Sequence, residues 1–182
     1  MPDGAFATMM DRLERQGGGP HLALLRYSLD TLAVRDLLMV LASFLTKAMI
    51  LQRPPLGPHA RRVGWVGCNI RVGDVPAAGR IAVVQDGMPM PKADVVEGIQ
   101  RAVHVAGGLA ARTWLVDTLR CVERLGPECT LPEVYGFETE LQIRHPGNEN
   151  IRPKLRQQLQ RLRDAGLLTF LGAGRYRRVA GR

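Results

Sequence analysis

The chain has 182 residues, 46% of them hydrophobic, and carries 25 Lys/Arg against 17 Asp/Glu, a net charge of +8. It is long enough to bury a core, and one small domain with a basic appendage is a natural division. No apolar run can span a bilayer, since the longest, around Leu37 to Leu45, is interrupted by Ser43 and stops at Lys47. The opening Met-Pro-Asp-Gly lacks the basic start and apolar centre of a secretory signal, so a cytoplasmic protein with no membrane partner is expected.

In chain order, residues 5–16 form a short predicted helix that ends at Gly17-Gly18-Gly19-Pro20. Residues 21–28 and 34–40 are apolar strand candidates, 80–85 is a strand closed by the Asp86-Gly87 turn, and 92–104 is helical. Together they read as part of an α/β domain. Between them, residues 53–70 form a loop with adjacent Arg61 and Arg62, and with Trp65 framed by Gly64 and Gly67. Either the two arginines meet phosphates and Trp65 stacks near a base, or Trp65 fills the core while the arginines are solvated.

Residues 110–125 form an amphipathic helix with Leu115, Leu119 and Val122 on one side. Thr130-Leu131-Pro132-Glu133 is a capping box that starts a second helix, with Val134, Phe137 and Leu141 pointing one way. After the turn at His145 to Glu149, Asn150 can cap a third helix. Pro153 lies in its first turn, and Ile151, Leu155, Leu159 and Leu162 form its apolar stripe. Its opposite face carries Arg156, Gln157, Gln160 and Arg161, side chains whose forked groups match guanine and adenine edges. Residues 167–171 and 175–179 are short strands around Gly172-Ala173-Gly174.

Charge follows the same division. Residues 151–182 hold nine Lys/Arg and one acid, whereas residues 1–150 hold 16 of each sign. Helix, helix, turn, basic helix and two-strand wing describe a winged helix-turn-helix that binds double-stranded DNA. The fold expected is thus α+β: a partial α/β domain over 1–108, then the winged helix-turn-helix domain over 109–182. Arg156, Gln157 and Gln160 are expected at base edges, and Asn150, Arg152, Lys154, Arg161, Arg175, Arg177 and Arg178 at phosphates. Cys68, Cys121 and Cys129 are widely spaced, and His21, His59, His104 and His145 have no ligand spacing, so reduced thiols and packing or surface histidines are expected.

The run Ala60-Arg61-Arg62-Val63-Gly64-Trp65-Val66-Gly67-Cys68-Asn69-Ile70 resembles the central motif of the Dam-replacing, DpnI-like family of methyl-directed type II restriction endonucleases. Arg156-Gln157-Gln158-Leu159-Gln160, Leu162-Arg163-Asp164 and Gly172-Ala173-Gly174-Arg175-Tyr176-Arg177 are similar to its C-terminal winged helix. Asp3-Gly4-Ala5-Phe6-Ala7-Thr8-Met9-Met10 is similar to the helix after its catalytic strands. The resemblance implies a nuclease that cuts adenine-methylated GATC with magnesium held by a PD-(D/E)xK domain, with zinc in a Cys cluster. It also implies that the partial α/β domain over 1–108 is restriction-endonuclease-like, and it implies a methyl- or base-sensing role for Trp65.

The family's Arg-Lys-Pro loop reads Arg53-Pro54-Pro55 here. Its metal-binding Asp, Glu-x-Lys element and Cys cluster precede the Asp-Gly-Ala helix at which this sequence starts, and residues 1–20 hold no acidic pair followed by Glu-x-Lys. No catalytic residue, metal or cofactor is therefore expected in this chain, and Asp3, Asp11 and Glu14 read as surface charge. Two functions stand: a family endonuclease whose catalytic strands were lost, are encoded upstream of this start or are supplied by another polypeptide, or a catalytically inert winged-helix DNA-binding or regulatory protein.

Overall fold

A computed structural model describes residues 5–14, 21–103 and 109–179. Asp3, the Gly17-Gly18-Gly19-Pro20 stretch, His104 and Arg182 lie outside the described residues. Helix α1 (Phe6–Glu14) buries Met9 and Leu13, four residues apart on one face. Its start is tied to a distant loop, where Ala5 bridges to Gly67 and the Phe6 N–H donates to the Val66 carbonyl at 3.0 Å.

The strands of the first half are β1 (Leu22–Ser28), β2 (Ala33–Val40), β3 (Ile50–Gln52), β4 (Cys68–Ile70), β5 (Arg80–Gln85) and β6 (Met88–Pro89). One antiparallel sheet runs β1-β2-β5-β6, with Leu24 opposite Leu38 and Met39 opposite Ile81. The β5–β6 connection places Asp86 at φ 49° and Gly87 at φ 82°. Both are left-handed, as a two-residue hairpin turn matching strand twist requires. Helix α2 (Lys92–Val103) presses Gly98 onto Ile81, where any Cβ would fall 2.9 Å from the Ile81 Cδ1.

Residues 53–70 are not all loop, which corrects the expectation from sequence. Cys68–Ile70 pairs with Ile50–Gln52, and the intervening chain continues that hairpin through Arg53 N–H to Gly67 carbonyl and Leu56 N–H to Trp65 carbonyl bonds of 3.0 and 2.9 Å. The strand was hidden because its three residues show no alternation long enough to read.

Helix α3 (Leu109–Leu125) is the spine. Residues 114–119 are all buried rather than amphipathic, because α3 packs against both the Ala42–Phe44 turn and the C-terminal helix α6 (Ile151–Asp164). Between these last two lie β7 (Glu128–Thr130), α4 (Leu131–Tyr135) and α5 (Glu138–Arg144); β8 (Leu168–Gly172) and β9 (Arg175–Arg178) follow α6.

The Thr130 capping box is formed: Thr130 Oγ1 accepts from the Glu133 N–H and Glu133 Oε2 accepts from the Thr130 N–H at 2.7 Å. The single helix expected after it breaks at Gly136 and Phe137 into α4 and α5, although Val134 and Leu141 still reach the core. Gly136 is a weak helix former, and Phe137 leaves helical geometry at ψ 6°. At the start of α6, Asn150 does not cap through its side chain; instead the Asn148 side chain accepts the Asn150 N–H at 2.8 Å. The expected two-strand hairpin gains a third strand, giving the order β7-β9-β8 with Cys129 and Phe170 on either side of Tyr176.

Candidate nucleic-acid interface

Helix α6 buries Ile151, Leu155, Gln158, Leu159 and Leu162. The 3.6-residue repeat therefore turns Arg152, Pro153, Arg156, Gln157 and Gln160 to solvent, with Arg161 half-buried at the edge. Gln158 had no place in the predicted stripe, yet it is fully buried, with its Oε1 3.4 Å from Arg161 Nη1. Lys154 Nζ donates to Gln157 Oε1 at 2.8 Å, so these two act as a pair on the exposed face.

Three residues outside the predicted set hold the arginines. Tyr135 accepts a hydrogen bond from Arg156 Nε, and both Arg152 and Arg156 lie over its ring, at 5.3 and 5.6 Å. Glu138 accepts from Arg152 Nε at 2.8 Å. Glu128 takes Arg175 at 3.3 Å and Arg177 at 2.9 Å, and these guanidinia, Arg177 first, hold its carboxyl below the ordinary 4.5. No local spacing announces these contacts, which join residues 14 to 49 apart in sequence.

The basic hairpin is divided between two faces. Side chains alternate along β9, so Arg175 and Arg177 share one face while Tyr176, opposite buried Cys129, takes the other. Arg178 was expected at phosphates with its neighbours. It is half-buried, its Nε donates to the Gly126 carbonyl at 2.9 Å, and it lines a cleft of about 540 Å³ together with Arg80, Leu119 and Glu123. Burial pushes the Glu123 carboxyl up, and its Oε1 accepts the Ala77 N–H at 2.8 Å.

Arg61 and Arg62 are exposed on the extended β3–β4 hairpin, and Trp65 is half-buried there. Its ring lies over Gly67, where an added Cβ would come within 2.8 Å, so this close approach requires glycine. Gly64, at φ +75°, makes the turn that returns the chain to Leu56. Trp65 is thus neither deep core nor fully free.

The described residues do not fit the metals that the resemblance implies. Among them no three His, Cys, Asp or Glu side chains are placed to hold an ion. Glu14 is tied to Lys47, and Asp11 is exposed on α1. Burial pushes the Cys121 thiol up to about 12 and raises that of Cys129, which disfavours the thiolate a zinc site needs. His145 packs instead of ligating: its ring stacks on Trp114 at 3.8 Å, and Nε2 lies 2.9 Å from buried Asp117. Among the described residues no helix is long and apolar enough to cross a membrane.

A family model described as the Dam-replacing family matches residues 1–106, and one described as the Dam-replacing HTH domain matches residues 110–178. The second match takes in α6 with its exposed Arg156, Gln157 and Gln160, and the hairpin behind it. The chain therefore belongs to the Dam-replacing family of restriction enzymes and carries that family's helix-turn-helix DNA-binding domain.

Proposed function

We propose that this chain recognises double-stranded DNA containing adenine-methylated GATC and, as the sequence stands, binds it without cutting it. The observation that carries the reading is the solvent-facing row Arg156, Gln157 and Gln160 on a rigid, core-anchored helix within the matched HTH domain. Two glutamines and an arginine supply the paired donors and acceptors suited to adenine and guanine edges in a major groove. The β8–β9 hairpin acts as the wing of a winged helix spanning 109–182, beside a partial nuclease domain over 1–108. Lys154, Arg161 and Arg175 supply phosphate contacts, and Arg61 and Arg62 supply others from the N-terminal domain.

Trp65 is assigned to methyl or base sensing because its large apolar ring stands half-buried on a glycine-framed hairpin beside two exposed arginines. Magnesium-dependent hydrolysis needs convergent carboxylates, which the acids of α1 do not supply, so cleavage would need carboxylates from outside the described residues.

The test is binding of the purified chain to matched GATC duplexes, methylated and unmethylated, at two salt concentrations with magnesium present. Preferential binding of the methylated duplex with intact DNA is expected. Cleavage would overturn the inert reading, and salt-sensitive binding with no methyl preference would leave a general DNA-binding protein.

A further inference from the structure

Tyr135 lies on α4, outside the helix that carries the exposed reading side chains, yet it touches two of that helix's arginines. Its hydroxyl accepts from Arg156 Nε, and the guanidinium carbons of Arg156 and Arg152 sit 5.6 and 5.3 Å from its ring centroid. Its own place is fixed, because α4 begins at the Thr130–Glu133 capping box and buries Val134. An arginine alone on a helix surface samples many rotamers and must be ordered when it binds. Here Nε is anchored while Nη1 and Nη2 remain as two parallel donors, the pattern that O6 and N7 of guanine accept. Glu138 accepts from Nε of the neighbouring Arg152 at 2.8 Å, which pairs that second cation.

We propose that Tyr135 is a positioning residue that presets Arg156 to read a guanine and thereby sets base specificity. This rests on α6 being the reading helix. The sequence did not disclose it, because the ring and the guanidinium it orders are 21 residues apart.

The experiment compares wild type with Tyr135→Phe, which keeps the ring and removes the hydroxyl. Binding is measured on a methylated GATC duplex, on duplexes with each guanine replaced in turn by 7-deazaguanine, which lacks only N7, and on a random duplex. Wild type is expected to lose roughly tenfold at one guanine. Tyr135→Phe should bind the natural site roughly tenfold more weakly, lose less than about twofold further on the modified guanine, and keep its random-duplex affinity and melting temperature. Tyr135→Phe combined with Arg156→Ala should bind no more weakly than Arg156→Ala alone.

Undiminished guanine discrimination by Tyr135→Phe overturns the positioning role and leaves the α6 reading intact. Equal losses on specific and random duplexes overturn it in favour of a purely structural tyrosine. A wild-type chain that shows no base preference at all overturns the parent reading together with it.

Discussion

Asp117 on α3 is buried at 7% exposure and takes Arg144 Nη1 at 3.0 Å and His145 Nε2 at 2.9 Å. His145 leads directly into the turn before α6, so one carboxylate fixes where the exposed helix begins. Asp117→Ala would leave two polar groups without their acceptor, and Arg144 is partly solvated, so a loss of about 2–3 kcal/mol is expected as a lower urea midpoint. Gln157 makes a different kind of prediction because it is exposed and, among the described residues, bonded to its neighbours Lys154 and Gln158 alone. Gln157→Ala should cost about 1–3 kcal/mol at one base pair of the preferred site and leave stability unchanged. Equal losses on specific and random duplexes would remove it from the reading face. These exposed residues were legible from helical spacing alone. Tyr135, Glu138 and Glu128 were not, since a side chain's partner across 14 or more residues is set by packing rather than by local pattern.

At the scale of elements, the Thr130 capping box holds the short helix α4. Thr130→Ala should lower stability by about 1 kcal/mol on thermal unfolding, because it returns an N–H at the helix start to solvent. The Thr130 hydroxyl, and then its backbone N–H, hold the Glu133 carboxyl below the ordinary 4.5. A lowered folded value means that this contribution is present above about 4.5 and lost as pH falls through the folded value. Glu123 runs the other way: burial raises it, so its contribution is complete below about 4.5 and fades as pH rises through the raised value. Glu133→Gln should therefore flatten the fall in melting temperature on acidification below pH 4.5, a direction that melts at stepped pH would check. Gly79 packs its backbone on Phe44, where a Cβ would fall 2.5 Å from the Phe44 Cβ. Gly79→Ala should then cost about 1–3 kcal/mol by overpacking. The capping box was readable because it lies within four residues. The break between α4 and α5 was not, since the buried positions Val134 and Leu141 keep a plausible helical spacing across it.

Over the whole molecule, the basic charge of residues 151–182 is less available than its count suggests. Arg152 pairs with Glu138, Arg163 with Asp164, and Arg175 and Arg177 share Glu128, while Arg178 is turned into the cleft. The slope of log affinity against log salt on random duplex is accordingly expected at about −3 to −5, shallower than the roughly −8 that nine unpaired cations would give. A measured slope near −8 would show that DNA displaces all of these acids. The α+β class, the capping box, the hairpin turn at Asp86-Gly87 and the exposed face of α6 are all legible in the residue order, because each depends on neighbours within a turn or a hairpin. That order also carried the resemblance that the two family matches bear out. It is tertiary packing that buries consecutive residues of α3, completes the last sheet with β7, turns Arg178 from its neighbours and brings Tyr135 against Arg156. Each of these follows from packing between distant segments, where burial and partner choice are settled by the shape of the whole chain.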